Sequence, residues 1–358
     1  MRVLVTCPML EIPGGVANYY RVLRRHFTSD VKYFIVGARL NEVGLLNKVI
    51  RFCSDCFLFA RMLNRSNYDL VHLNPSLVPY SLIRDGLFLV IAKVFRKKVI
   101  VFMRGWDQKW ERNIRRFFPW LFRAVYFRSD AFIVLSTEFK DRLQEMGYSG
   151  PIFVETTVVE DDIFSSVEAV PGMLEVKITD NKINILYLAH IERAKGIYEA
   201  VDAYRILKGL YPHVMLTIAG NGIEAVTVKS YVEEKGIPDV MFLGYVTGEA
   251  KRNAFKKGDI YLFPSYSEGM PNSVLEAMAY GLPIVTTAVG GLRDFFKNSE
   301  MGFITESTDA QTFVELIETL INNPEACSRI GRHNKLYAKE HFAASKVIKR
   351  LLKIYHSV

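Results

Sequence analysis

Short apolar runs of four to seven residues, rich in β-branched side chains, alternate along the chain with longer stretches of helical periodicity. In the first half this pattern predicts strands at Val3–Thr6, Val31–Val36, Leu70–Leu73, Val99–Met103, Ala131–Leu135 and Ile152–Glu155. In the second half it predicts Ile183–Leu188, Val214–Ala219, Val240–Leu243, Ile260–Phe263, Ile284–Thr287 and Phe303–Thr305. Strands this apolar are covered on both faces, as in parallel sheets flanked by helices. Between the two series, Val159–Lys182 is mixed and acidic, contains Pro171-Gly172 and lacks periodicity, which reads as a linker. The expectation is an α/β chain of two Rossmann-like, doubly wound domains at 1–165 and 166–342. A last helix in 343–358 is expected to cross back to the first. Ligands of such sheets bind outside the carboxyl ends of the strands, so the crevice between the domains is the expected active site.

Composition supports this picture and narrows the setting. A length of 358 residues suits two domains, and 50% hydrophobic residues suffice for two cores. The longest apolar runs, such as Gly86–Val94, are broken by charge and fall short of the ~18–20 residues of a membrane span. The opening Met-Arg-Val-Leu-Val-Thr reads as a strand rather than a signal peptide, so a soluble cytoplasmic protein is expected. Cys7, Cys53, Cys56 and Cys327 are too few and too scattered for a disulfide framework, and no His stands near Cys53-x-x-Cys56 to complete a metal site. Charge is unevenly placed. Residues 1–165 hold 24 Lys and Arg against 16 Asp and Glu, whereas the remainder holds 22 of each, so the whole net charge of +8 lies in the first half. That excess suits an anionic partner.

The chemistry is most legible in Pro264-Ser-Tyr-Ser-Glu-Gly-Met-Pro-Asn-Ser-Val-Leu-Glu-Ala-Met-Ala-Tyr-Gly281. A strand ends at Phe263, the chain turns through Glu268-Gly269, and a helix begins with Pro271 at or near its first position and stops at Gly281. The start of that helix offers unpaired N–H groups and a positive dipole end, which suits a pyrophosphate. Glu268 lies just ahead of the terminus and Glu276 more than a turn inside, so two carboxylates can accept hydroxyl hydrogen bonds from separate parts of one polyhydroxylated ligand.

Together with Val289-Gly290-Gly291-Leu292-Arg293-Asp294, this string resembles the donor-site motif of the retaining glycosyltransferases of family 4, which have the GT-B fold. The order of elements is similar along nearly the whole chain, with motif-level similarity dense in the second half and sparse in the first. The resemblance implies a nucleoside-diphosphate-sugar donor, a glycan or lipid-linked acceptor, retention of anomeric configuration, and no metal. It implies that Glu268 contacts hydroxyls of the sugar. Backbone at Gly269, Met270 and Pro271 would frame the sugar, Asn272, Ser273 and Val274 would face the phosphates, and Glu276 would bind the ribose. In Leu186-Tyr-Leu-Ala-His-Ile-Glu-Arg-Ala-Lys195-Gly196 the family usually places an Arg and a Lys, spaced by five, on the diphosphate. Lys195 fits. The Arg position is His190, with an Arg instead at Arg193, and either can take the role. Gly220-Asn-Gly222 resembles the family's glycine turn beside the nucleotide, and Val240-Met-Phe242-Leu-Gly244 the segment bordering the base.

In the first half, Gly14 and Gly15 open a helix after the first strand, in the loop that reaches donor and acceptor in the family. Arg104 stands near the place of a frequent family His, with Asp107 beside it; Arg104 cannot act as a base but can bind an anion. His72 ends a neighbouring strand and is either an acceptor-side residue or a satisfied core histidine. Residues Lys109–Arg128 interleave Arg112, Arg115, Arg116 and Arg123 with aromatics including Trp120, and Pro119 is expected to kink or split their helix. Such a face suits an anionic membrane surface, giving peripheral attachment to the cytoplasmic side. The rival readings are an epimerase or phosphorylase of the same fold, and a basic nucleic-acid-binding protein. No nucleic-acid motif supports the latter, so nucleic acid is not an expected partner.

Overall fold

The computed structural model describes residues 1–27, 30–39, 44–168 and 182–358; most of the expected linker, residues 169–181, lies outside them. The chain divides into two compact units, one of residues 1–158 with 344–358 and one of residues 159–343. Each is a parallel six-stranded sheet covered by helices, the α/β architecture of a GT-B fold.

Unit 1 contains β1 (Val3–Cys7), β2 (Val31–Ile35), β3 (Leu70–Leu73), β4 (Lys98–Phe102), β5 (Ala131–Val134) and β6 (Ile152–Val154), in the order β2-β1-β3-β4-β5-β6. Its helices are α1 (Gly15–Leu23), α2 (Leu45–Arg65), α3 (Pro79–Val94), α4 (Gln108–Phe117), α5 (Pro119–Tyr126) and α6 (Thr137–Glu145). Pro119 splits the basic segment into α4 and α5 because proline cannot donate to the preceding turn, and it sits at the start of α5, where no donor is needed. Side chains of β1, β3, β4 and β5 form one core with the inner faces of α2 to α6.

Unit 2 contains α7 (Asp161–Glu168), β7 (Ile183–Leu188), α8 (Ile197–Leu210), β8 (Val214–Ala219), α9 (Ala225–Glu234), β9 (Val240–Gly244) and α10 (Gly248–Lys257). It continues with β10 (Ile260–Phe263), α11 (Asn272–Ala279), β11 (Ile284–Thr287), α12 (Leu292–Phe295), β12 (Gly302–Thr305), α13 (Ala310–Ile321) and α14 (Pro324–His341). The strand order is β12-β11-β10-β7-β8-β9. The reversal between β7 and β10 places the ends of these two strands at the topological switch point, where doubly wound sheets bind ligands.

The final helix, α15 (Ala344–Ser357), belongs to unit 1. Arg350 donates to both carboxylate oxygens of Glu155, at 3.0 and 3.1 Å. Tyr355, 1% exposed, reaches Nδ1 of the fully buried His72 through its hydroxyl at 2.6 Å. Leaving a buried imidazole nitrogen unpaired costs about 1–3 kcal/mol. Tyr355→Phe is therefore expected to lower the unfolding free energy by that amount, read as a shift of the denaturation midpoint; an unchanged midpoint would show that the bond adds nothing to folding.

Candidate active site

The carboxyl ends of β7, β10 and β11 are joined by close backbone contacts. After β7 the chain makes a 3₁₀ turn at Arg193–Lys195, then bends at Gly196 with φ 70° into α8. A Cβ on Gly196 would stand 2.0 Å from the carbonyl oxygen of Pro264, so only glycine lets this turn lie against the end of β10. Tyr266 N–H and Ser265 Oγ both donate to Ala194 O, at 3.0 and 3.2 Å. Gly290, with φ 51°, lies against the carbonyls of Glu268 and Gly269, where a Cβ would meet both at 2.4 Å. Thr286 Oγ1 donates to Phe263 O at 2.7 Å, tying β11 to β10.

This frame brings Lys195 and Glu268 together. Lys195 Nζ donates to Glu268 Oε1 at 2.7 Å, and the same oxygen lies 3.1 Å from Ser265 Oγ, a second acceptor within reach of the one hydroxyl proton that Ala194 O also faces. Tyr187, whose phenol burial pushes well above its ordinary pKa and keeps protonated, donates to Lys195 O at 3.1 Å. The ammonium of Lys195 has three donors, so its bond to Glu268 leaves two for other oxygens. Pro271 caps α11, and no side chain satisfies the N–H groups at that terminus. Asn272, the first residue of the helix, carries a buried side-chain oxygen with no protein partner.

Glu276 is 6% exposed and accepts a bond from Lys251 Nζ on α10 at 2.7 Å. Nothing in the local sequence around Lys251 singles it out. Its role follows from the packing of α10 beside the second carboxylate of the motif, and a buried carboxylate that needs a cation is the signal that could have found it.

The remaining expected donor-site residues divide. His190 is exposed at the end of β7, and its Nδ1–H donates to Asn221 O at 3.2 Å, within the Gly220–Gly222 turn. Arg193 is paired with Glu224 at 3.4 Å and stacks over Tyr198, which itself donates to Glu224 at 2.6 Å. It is therefore turned towards α9 rather than towards Glu268. Val274 is fully buried and its N–H is taken by Pro271 O, so it packs in the core instead of facing a phosphate. Phe242 packs partly buried against the core of unit 2, with Lys229 Nζ 5.6 Å from its ring centre. Gly269 and Ser273 are half-buried, and Met270 and Pro271 are buried beneath the turn.

In unit 1, Arg104 is 9% exposed and held flat. Its guanidinium carbon lies 3.8 Å from the Tyr19 ring centre and 3.6 Å from that of Phe102. Nε donates to Asn74 Oδ1 at 2.8 Å and one terminal nitrogen to Tyr20 OH at 3.3 Å. Tyr20 donates in turn to Asn74 Oδ1 at 2.9 Å, so it can only accept from His72 Nε2 at 3.3 Å. His72 is thus the Nε2–H tautomer, accepting from Tyr355 at Nδ1, and burial beside Arg104 lowers its pKa well below the usual value. With both nitrogens used and no exposure, His72 is a core histidine that supports Arg104. Asp107 caps α4, accepting from Trp110 N–H at 2.8 Å. Gly14 and Gly15 are exposed at the start of α1.

The cations of α4 and α5 are also partly committed. Arg115 pairs with Glu111 and Glu145, both at 2.9 Å, and Arg123 donates to Met146 O at 2.8 Å. Arg112 and Arg116 are exposed, and Trp120 is 67% exposed.

Residues 175–337 match the family model described as glycosyl transferases group 1. A capsular polysaccharide biosynthesis glycosyltransferase of Staphylococcus aureus is 26% identical over 183 residues, 51% of this chain and 48% of that protein. An uncharacterized glycosyltransferase of Haemophilus influenzae is 31% identical over 170 residues, 47% of each. The matched region thus spans about half the length of these curated relatives. The Anabaena protein HepE, solved in complex with UDP, aligns over all of both chains with a TM-score of 0.76 and 16% identity, a likeness of fold.

Two measurements test the geometry. Gly290→Ala forces a Cβ into two carbonyl oxygens at a left-handed φ and is expected to cost more than about 2 kcal/mol in thermal denaturation. Gly209→Ala, where a Cβ meets nothing, is expected to be neutral or stabilising; equal effects would show that the Gly290 contact is not tight. The second is a pH titration. His72 is neutral when folded but takes up a proton in the unfolded chain below about pH 6.5. Its contribution to stability is complete above that pH and is lost as pH falls, by up to about 1.4 kcal/mol per unit. NMR is expected to show the His72 ring as Nε2–H and still neutral at pH values where a free imidazole is protonated; a ring that titrates normally would contradict the buried network.

Proposed function

We propose that this chain, whose residues 175–337 match the glycosyl transferases group 1 model, moves a sugar from a nucleoside diphosphate to an acceptor hydroxyl with retention of configuration. The observation that carries this reading is the junction of β10 with α11, where one carboxylate, one lysine and an uncapped helix terminus converge. Glu268 accepts hydroxyl hydrogens of the sugar. Lys195 keeps two donors for the diphosphate, whose growing negative charge as the sugar departs is also met by the N–H groups at Asn272 and Ser273. Glu276 binds the ribose through Oε2, since Lys251 occupies Oε1. The leaving charge is met by protein cations and dipoles, and this route requires no metal. His190 borders the diphosphate through its free Nε2, and the Gly220–Gly222 turn and the Phe242 strand border the nucleotide.

The acceptor is bound by unit 1, where Arg104 presents the remaining N–H groups of a clamped guanidinium to an anionic group. Arg104→Lys keeps the charge but loses the planar fork. It is expected to reduce transfer at least ~10-fold while leaving donor affinity unchanged; altered donor affinity with normal acceptor use would remove Arg104 from the acceptor side. Assembly of a bacterial surface polysaccharide is the setting proposed, by analogy with the Staphylococcus aureus relative.

Calorimetry with UDP-, GDP- and ADP-sugars tests the donor site. One class is expected to bind, and to lose at least ~10-fold in affinity in Glu276→Ala, as expected for a charged hydrogen bond removed. Lys195→Ala is expected to weaken the free nucleoside diphosphate similarly. Binding untouched by both substitutions would place the ligand elsewhere.

A further inference from the structure

The outer surface of unit 1 is unusually apolar on one side. Among the described residues, 14 of the 24 exposed large apolar side chains fall within residues 45–126, the span that runs from α2 to α5 and includes β3 and β4. α3 packs between α2 and α5, with its inward side in the core, yet its outward side is also apolar. Ile83 and Leu87 are 64% and 41% exposed on α3, Ile50 and Phe57 are 58% and 65% exposed on α2, and Trp120 and Leu121 are 67% and 45% exposed on α5. Ile83 and Leu87 stand four residues apart, Ile50 and Phe57 seven, so each pair lies on one face of its helix. A surface helix needs one apolar stripe; here neighbouring helices carry a second one facing outwards.

Charge on this layer is one-sided. Residues 45–126 hold 15 Lys and Arg against five Asp and Glu. Asp55, Asp85 and Glu111 are buried, Asp107 caps α4, and Asp69 is exposed at the start of β3, where it accepts from the Arg2 backbone. The acids are thus withdrawn from the outward face of the helices, while Arg61 on α2 and Arg112 and Arg116 on α4, the helix that packs against α5, are exposed. No described helix is long and apolar enough to cross a membrane.

We propose that the α2–α3–α5 face of unit 1 docks flat on an anionic lipid bilayer, its apolar stripes entering the headgroup boundary and its cations meeting lipid phosphates. Apolar side chains together with exposed cations, with acids removed, are what an interfacial surface requires. The face is broader than the basic α4–α5 segment that stands out in the sequence, because Arg115 and Arg123 are engaged within the unit. The proposal is independent of which sugar or acceptor is used.

Co-sedimentation of the full chain with vesicles tests it. The protein is expected to pellet with phosphatidylcholine and phosphatidylglycerol in equal parts, and far less with phosphatidylcholine alone. Ile83→Ser, Leu87→Ser and Trp120→Ser together are expected to lower the partition at least ~10-fold. Arg61→Gln, Arg112→Gln and Arg116→Gln together are expected to abolish the preference for anionic lipid and the sensitivity to salt. Unchanged nucleotide binding by both variants shows that they are folded. No pelleting of the wild type, or equal pelleting of the variants, overturns the proposal. So does a micromolar dimer in sedimentation velocity that the serine variant dissolves without any vesicle binding, which would make a second copy the occupant.

Discussion

Everything in unit 2 that can act on a ligand depends on how closely the ends of β7, β10 and β11 approach one another. Gly196 lies against the Pro264 carbonyl and Gly290 against those of Glu268 and Gly269, at distances that exclude any side chain. This backbone contact holds the Lys195 turn over the end of β10, and it sets a lysine ammonium and a glutamate oxygen 2.7 Å apart. Had the loops been a few ångströms further apart, the same side chains would be solvated surface charges. The ion pair is consequently a product of loop packing rather than its cause, consistent with the modest stability that partly exposed pairs contribute.

The two halves of the chain use charge differently. In unit 2 the carboxylates Glu268 and Glu276 each have one oxygen held by a lysine, which orients them. In unit 1 the cation is the held partner. Arg104 is fixed by aromatic faces and by Asn74, and behind them a neutral His72 closes the network through Tyr355 of the last helix. A protonated His72 beside Arg104 would place two buried cations together, which burial and repulsion both oppose.

Much of this was legible beforehand. All twelve strands lie where the apolar runs put them, within a residue or two at their ends, because buried parallel strands have a composition unlike that of any neighbour. The run from Glu268 to Glu276 was readable because turn, helix start and helix stop each have local signatures. What was not legible depends on side chains meeting across helices. Lys251 reaches Glu276 from another element. Arg193, an alternative to His190 for the diphosphate in the sequence reading, is paired with Glu224 and stacked on Tyr198, and Val274 turns into the core. Helix α7, Asp161–Glu168, forms within the stretch read as linker because it packs on α14, support that its own short sequence does not announce. The outward apolar stripe of α3 was hidden because a helix apolar on both sides reads in sequence simply as a buried one.

The central claim is that a nucleoside diphosphate sits on the β10–α11 junction, and amide hydrogen exchange with and without the nucleotide reads this directly. Slowed exchange is expected in peptides covering residues 193–196, 265–276 and 289–291, with the rest of unit 2 little changed. Protection confined to other segments, or none with any nucleoside diphosphate at saturating concentration, would contradict it.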